Sequence, residues 1–127
     1  MTVYLTFEQV LAFHRTVTDG DDRIRDAGLV ASAVARPQAT AFSDDAYANV
    51  WEKAAALLQS LACNHGFVDG NKRTAWVAAM TFLEVNGHPL IPFDQLEAEE
   101  FVVAVADSTY TAVADIAAQL PKYPAAR

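Results

Sequence analysis

Apolar residues recur at helical spacing along most of the chain, and no stretch alternates strand and helix patterns. The pattern therefore predicts an all-α protein of five or six helices. Its length is sufficient to bury a core without disulfides, so we expect a single domain over residues 1–127. The predicted helices cover approximately residues 7–18, 27–36, 44–64, 72–86, 94–106 and 109–120.

The third and fourth predicted helices have the broadest apolar faces, and we expect them to form the centre of the fold. Ser43 is expected to cap the third helix, with Asp44 and Asp45 in its first turn. Either Ser108 or Thr109 is expected to cap the last helix. Between the two central helices lies a polar segment, residues 64–73. A polar loop between apolar helices is more typical of a functional site than of a core.

Three other features allow more than one interpretation. Residues 3–5 fit a short edge strand or an extended arm, and residues 36–42 lack periodicity, as a flap or surface loop would. The second of these is a plain connector or a docking edge for a peptide substrate. His14 lies on or beside the apolar stripe of the first helix, so we interpret it as a half-buried helix histidine and not as a catalytic residue.

Charge and cysteine content exclude several classes. The formal net charge is −7, and the one local basic patch is Lys72 with Arg73, so direct DNA binding is not expected. Two cations on an acidic protein suit a phosphorylated ligand. Neither a secretion signal nor an apolar run long enough for a membrane is apparent. Cys63 is the single cysteine, expected to be inert, and it fits a reducing cytoplasm.

The segment 64–73 has the properties of an anion site. If the fourth helix begins near Lys72, the amides of about residues 70–74 lack carbonyl partners and face the loop at the positive end of the helix dipole. Gly70 allows the backbone to approach a phosphate closely, and Lys72 and Arg73 add full charges. Cations in a first turn oppose the dipole, which an anionic ligand would explain.

Two further side chains complete a catalytic hypothesis. Asp69 would be repelled by a bare phosphate, and a carboxylate beside a phosphate site usually indicates a divalent cation, most often Mg²⁺. His65 is the local group suited to accept a proton near neutral pH. Together these groups indicate phosphoryl or nucleotidyl transfer. From residue types alone, an ordinary loop histidine with helix caps and a solvated first turn remains an equal alternative.

Residues 65–73, His-Gly-Phe-Val-Asp-Gly-Asn-Lys-Arg, resemble the signature of the Fic superfamily, H-x-F-x-[D/E]-G-N-G-R-x-x-R. Lys72 stands in place of the second glycine, and Trp76 in place of the final arginine. Both differences match the Doc (death on curing) branch of that superfamily. The resemblance implies a compact Fic/Doc-type bundle of five to six helices, with the active-site loop between two central core helices.

The resemblance also implies an activity. Doc-type proteins are toxins of type II toxin–antitoxin modules, which implies an ATP-dependent protein kinase that phosphorylates a Ser/Thr hydroxyl of a translation factor, elongation factor Tu, and inhibits translation. A Phd-like antitoxin would neutralise it. Alternatives are a Fic-like adenylyltransferase and an inactive Fic-fold protein that binds an antitoxin.

The resemblance assigns roles within the loop. His65 would be the base, Asp69 would hold Mg²⁺, and Phe67 would anchor the loop in the core. The residues that would bind the ATP phosphates are Gly70, Asn71, Lys72 and Arg73. A bulky cation at Lys72 removes room from the anion site, which argues for transfer of a phosphoryl group over an adenylyl group.

Overall fold

Six α-helices make up most of residues 1–123, the part of the chain that this computed structural model describes. Residues 124–127, the end of the predicted domain, lie outside it. The helices are α1 (Phe7–Val17), α2 (Ala27–Ala35), α3 (Val50–Cys63), α4 (Asn71–Val85), α5 (Gln95–Ala106) and α6 (Val113–Gln119). Short 3₁₀ turns follow α2 and α6, at Arg36–Gln38 and Leu120–Lys122. The predicted all-α class is confirmed.

The helices α3 and α4 form the centre of the fold, as their apolar faces predict. Alanines with no exposed surface occur on both helices, at Ala54, Ala55, Ala56, Ala75, Ala78 and Ala79. Small side chains let two helix backbones approach closely, and the larger Leu57, Leu58, Phe82 and Leu83 fill the surrounding space. The loop between α3 and α4 therefore begins and ends on the most buried helices of the chain.

Side-chain caps explain where several helices begin. The Thr6 hydroxyl accepts the Gln9 amide while the Gln9 side chain accepts the Thr6 amide, which is the capping box expected before α1. Asp26 caps α2 by accepting the Leu29 amide. Asp94 caps α5 in the same way.

The start predicted for α3 is wrong. Asp44–Asp45 form strand β2, which pairs with β1 (Thr40–Ala41) in an antiparallel hairpin, and Ser43 lies in its turn with φ +71°. The cap of α3 is Asn49, whose side chain accepts the Glu52 amide at 2.9 Å. Glu52 in turn accepts the Ala48 amide at 3.0 Å. The two side chains together satisfy two amides, those of Glu52 and Ala48, which is more than Ser43 alone would do.

The start predicted for the last helix is also wrong, because α6 begins at Val113 after Ala112. Ser108 has φ +67°, and Thr109 donates to the Asp107 carboxylate from both its amide and its hydroxyl. Ser108 and Thr109 therefore close the turn that follows α5 and do not open a new helix.

The N-terminal segment is an extended arm rather than a strand. Its Val3 amide donates to the Asn86 side chain at 2.8 Å, and the Asn86 amide group donates to the Val3 carbonyl at 2.9 Å. Asn86 follows the last residue of α4, so the arm is attached to the end of a central helix. Among the described residues, no helix combines the length and the apolar character needed to cross a membrane.

Candidate active site

The loop between α3 and α4, residues 64–70, has one exposed and one buried side. His65 and Asp69 are exposed, as are Lys72 and Arg73 in the first turn of α4. Phe67 is 2% exposed and anchors the loop in the core, as predicted. The side chains predicted to act on a ligand are thus open to solvent, while the residue predicted to hold them is buried.

The first turn of α4 offers free amides to this surface. Gly70 is the residue before the helix, and the Thr74 amide bonds its carbonyl at 2.9 Å. The amides of residues 71–73 therefore precede Thr74, the first residue whose amide donates to a carbonyl of this helix, and they have no such carbonyl partner themselves. They lie at the positive end of the dipole. The helix begins at Asn71, one residue before the predicted Lys72, so the Thr74 amide, which the sequence predicts to be free, is bonded and the amides of residues 71–73 are left for an anion.

Gly70 is required by its neighbours as well as by its conformation. Its φ is +77°, in the left-handed region that favours glycine. A Cβ at this position would lie 2.4 Å from the Thr18 methyl group, at the end of α1. The close approach of α1 to the loop therefore depends on the absence of a side chain here.

The Asn71 side chain makes contacts within the loop that the sequence does not predict. Its side-chain oxygen accepts the Phe67 amide at 3.0 Å, and its amide group donates to the Phe67 carbonyl at 3.0 Å. The Asn71 side chain thus closes the loop on itself, and it is the Asn71 backbone amide that remains available for an anion. Sequence spacing predicts Asn71 in the site but not this role.

The two cations differ in how they are held. The Arg73 guanidinium donates from Nη1 to the Val17 carbonyl at 2.5 Å, so it satisfies an acceptor at the end of α1. A guanidinium has five N–H donors, so this bond leaves others for a ligand. Lys72 is exposed beside it. Arg73 is therefore both a cap of α1 and a candidate anion ligand.

His65 occupies a strained backbone conformation, with φ +52°. Hydrogen bonds from the segment before α2 hold it there. The Arg25 side chain donates to the carbonyls of His65 at 2.6 Å and of Asn64 at 3.2 Å. The Gly66 carbonyl accepts the amides of Arg25 and Asp26, both at 2.9 Å. The backbone that carries the candidate base is therefore bonded to a second segment of the chain.

His14 belongs to this site, although the sequence pattern indicates only a half-buried helix histidine. The side chain is 1% exposed, and its Nε2 lies 2.8 Å from the Asp69 carbonyl oxygen. Its ring stacks on Phe67 with centroids 3.8 Å apart. A histidine within the apolar stripe of α1 is the one sequence signal for this contact, and that signal does not name the partner.

A groove of about 510 Å³ opens beside Lys72 and Arg73. Most of its lining is apolar, and it runs between α4 and α5. The residues that line it are Val17, Lys72, Arg73, Trp76, Val77, Gln95, Ala98, Glu99, Val102 and Val103. Trp76, which stands where the Fic signature has its final arginine, contributes an apolar wall and packs edge-on against Tyr123. The groove is thus a candidate binding surface contiguous with the anion site.

Asp69 is suited to bind a metal ion whose other ligands include the phosphates of a nucleotide. No cluster of three or more His, Cys, Asp or Glu within residues 1–123 is placed to hold a metal ion. Mg²⁺ is commonly bound through one or two carboxylates together with substrate phosphates, so a single exposed carboxylate beside free amides is a suitable donor set.

Cys63, the last residue of α3, is placed as an inert thiol. Burial raises the pKa of the Cys63 thiol, and its Sγ lies 3.3 Å from the Val105 carbonyl. A raised pKa reduces the thiolate fraction, which is the reactive form.

Comparison with known proteins agrees with the loop and with the fold. The profile of the Fic/DOC family matches residues 4–83, which is more than half of the chain. The chain is also 51% identical over 127 residues to a protein of Mycolicibacterium smegmatis named Toxin Doc. That alignment covers 99% of this chain and 97% of the relative.

Proposed function

Because this chain belongs to the Fic/DOC family, we propose that it is the toxin of a toxin–antitoxin module and acts as a protein kinase. It transfers the γ-phosphate of ATP to a Ser/Thr hydroxyl of a translation factor, with elongation factor Tu as the proposed target, and so inhibits translation in the cytoplasm. The observation that carries the proposal is the exposed His65 next to the free amides and cations at the start of α4.

His65 is the proposed base of the reaction. It accepts the proton of the acceptor hydroxyl, whose oxygen forms a bond to the γ-phosphorus. The bond from that phosphorus to the β–γ bridging oxygen breaks, and ADP leaves with the electron pair. The hydrogen bonds from Arg25 to the carbonyls of Asn64 and His65 support this role, since they hold the backbone of the base in one conformation.

The first turn of α4 is the proposed phosphate site. The amides of residues 71–73 and the side chains of Lys72 and Arg73 present positive charge to the same anion. Asp69 would hold Mg²⁺, which when bound neutralises charge on the phosphates. Apart from the proton transfer to His65, these groups do no covalent chemistry. Their part in catalysis is to position the phosphates and to stabilise the charge on them in the transition state.

Lys72 supports phosphoryl transfer over adenylyl transfer. A lysine in the second position of α4 occupies space that a glycine would leave open, and it brings a full charge to the mouth of the anion site. The α-phosphate has the nucleoside on one side and two phosphates on the other, so it needs more room at these amides than the terminal γ-phosphate does. The lysine side chain reduces that room and so disfavours attack on the α-phosphate. A protein adenylyltransferase with the same loop is therefore the second candidate.

The groove between α4 and α5 supports an antitoxin partner. A mostly apolar surface of this size, with Lys72 and Arg73 at one end, suits an amphipathic peptide segment that carries an acidic residue. The proposed partner is a Phd-like antitoxin. A segment bound there would also restrict access to the phosphate site.

The test is the intact mass of purified elongation factor Tu after incubation with this protein, ATP and Mg²⁺. The expected result is a gain of one phosphate. Removing a general base typically costs roughly 10²–10⁴-fold in rate, so His65→Ala should abolish the gain within the assay range. A His65→Ala variant that still modifies the factor or arrests growth would contradict the role of His65.

Lys72→Gly separates the two enzymatic candidates. Kinase activity should fall, and adenylyl transfer is expected to emerge if room at the first turn decides which phosphate is attacked. A gain of one AMP with the unaltered protein would show that the adenylyltransferase candidate is correct. No gain of mass, together with no ATP binding, would instead favour the inactive antitoxin-binding alternative.

A further inference from the structure

His14 is a buried polar side chain that contacts the loop of the candidate site on its buried side. Its ring lies between α1 and the loop, 1% exposed and parallel to Phe67 within 8°. The Asp69 carbonyl 2.8 Å from Nε2 can only accept a hydrogen bond, so Nε2 carries the proton and donates. A phenylalanine would make the same stacking contact, so packing alone does not explain a histidine at this position.

The bond to Asp69 determines the direction of one peptide unit. In a trans peptide the C=O and the following N–H point in opposite directions. The carbonyl of Asp69 is bonded to the buried His14 ring, so the N–H of Gly70 points away from that ring. His14 therefore acts on the amide that directly precedes those of residues 71–73.

We propose that His14 is a positioning residue for phosphate binding, acting through the Asp69–Gly70 peptide. This inference rests on the proposed function. The Nε2–H group holds the Asp69 carbonyl inward, which directs the Gly70 amide to the phosphates and the Asp69 side chain to its cation. His14 itself touches neither substrate nor metal.

The surroundings hold the ring in place for this role. The Thr18 hydroxyl lies 2.6 Å from the His14 carbonyl and anchors the last turn of α1. A Cβ on Gly70 would lie 3.6–3.7 Å from two ring atoms of His14, in ordinary van der Waals contact. The histidine ring and the glycine backbone are therefore packed directly against each other.

Two substitutions separate the hydrogen bond from the packing. His14→Gln retains an N–H donor near the position of Nε2, whereas His14→Phe retains the ring stack and loses the donor. Because small displacements of catalytic groups reduce rates steeply, kcat/KM for ATP should fall roughly 10–100-fold in His14→Phe, and His14→Gln should restore most of it. A merely structural role would make the losses follow the folded fraction in both variants.

Hydrogen exchange of the loop measures the same effect without activity. Peptides covering residues 64–72 should exchange faster in His14→Phe than in the unaltered protein or in His14→Gln, while peptides from α5 serve as an internal control. If His14→Phe does not fold, His14→Asn replaces it, since its amide is polar but too short to reach Asp69.

The outcomes distinguish this inference from the proposed function. Unchanged loop exchange in the donor-free variant, or equal behaviour of the Gln and Phe variants, would overturn the role of His14. Faster loop exchange in the donor-free variant alone, with neither ATP binding nor transfer by the unaltered protein, would support the role of His14 in holding the loop and show that the proposed reaction is wrong.

Discussion

The loop at residues 64–70 and the hairpin at residues 40–45 place non-glycine residues in the left-handed region, but they are supported very differently. His65 in the loop has φ +52°, while Phe42 and Ser43 in the hairpin turn have φ +54° and +71°. Such conformations persist only where the surroundings hold them. Comparing these surroundings shows which part of the molecule is built to be rigid.

Support for the loop comes from three separate segments. Arg25 bonds two of its carbonyls, Asn71 bonds the Phe67 backbone twice, and His14 bonds the Asp69 carbonyl. Gly66 also allows close packing of the loop, because a Cβ at this position would lie 2.5 Å from a Val30 methyl group. The exposed side of the loop, which carries the proposed catalytic groups, is therefore constrained by its buried side.

The hairpin is attached mainly at its base. Lys53, a 2% exposed residue of α3, donates to the Asp45 carboxylate at 3.0 Å and to the Tyr47 carbonyl. The Ala46 amide bonds the Ala39 carbonyl at 2.9 Å. At the tip, Phe42 is fully exposed. We expect the hairpin to open at a lower free energy than the loop.

Gly70→Ala should have the largest effect on this comparison. The left-handed conformation costs alanine about 1–2 kcal/mol, and the contact with the Thr18 methyl group adds an overpacking cost, for a total of about 2–4 kcal/mol. Gly20→Ala is the matched control, because Gly20 has φ +97° and nothing within 4 Å of its Cβ position. Gly20→Ala should lose only the conformational cost of about 1–2 kcal/mol. Urea unfolding measures both, and equal losses would show that α1 does not press on the loop.

Lys53→Met should increase local opening of the hairpin while changing the free energy of global unfolding little. Removing one partner of an ion pair costs most when the remaining charge is buried. The Asp45 side chain is 58% exposed and stays solvated, so we expect the free energy of unfolding to change by about 1 kcal/mol or less. The Ala46 amide should exchange faster, since the attachment of the hairpin base is lost. Hydrogen exchange with a global unfolding curve tests both statements. A large global loss would mean that the hairpin is part of the core.

Cys63 provides the smallest and most local test. Burial raises the pKa of its thiol, so less thiolate is present at pH 8 than for a free cysteine, and alkylation by iodoacetamide should be several-fold slower than in the urea-unfolded protein. The rate should increase as the pH rises toward that raised pKa. Folded protein that reacts at the unfolded rate would show that the end of α3 opens readily.

The sequence predicts the central parts of this molecule because their signals are local. Helical periodicity identifies α3 and α4, and the residue types of 65–73 identify the exposed groups and the anchor Phe67. The signals at Ser43 and Ser108 mislead because each is one of several possible caps. Asn49 with Glu52 caps α3 in place of Ser43, and Ser108 lies instead in the turn that Thr109 closes by donating to Asp107.

The rest of the site depends on contacts between distant residues, which no local pattern specifies. His14 and Asp69 are 55 positions apart, and Arg73 and Val17 are 56 apart. The bonds from the Asn71 side chain to the Phe67 backbone are not predicted either, because an asparagine at the start of a helix is expected to cap that helix. The sequence therefore predicts which side chains face a ligand, but it does not predict which residues hold those side chains in place.

The direction of these supporting contacts has a consequence for the order of synthesis. The loop is held mainly by residues that precede it in the chain, from His14 to Val30. Asn71, which follows the loop, is the exception. A ribosome adds roughly 5–20 residues per second, so these partners already exist when the loop is made. The residues after α4 contribute the far wall of the groove. The proposed catalytic surface can therefore begin to form roughly 2–6 seconds before the surface proposed for its inhibitor is complete.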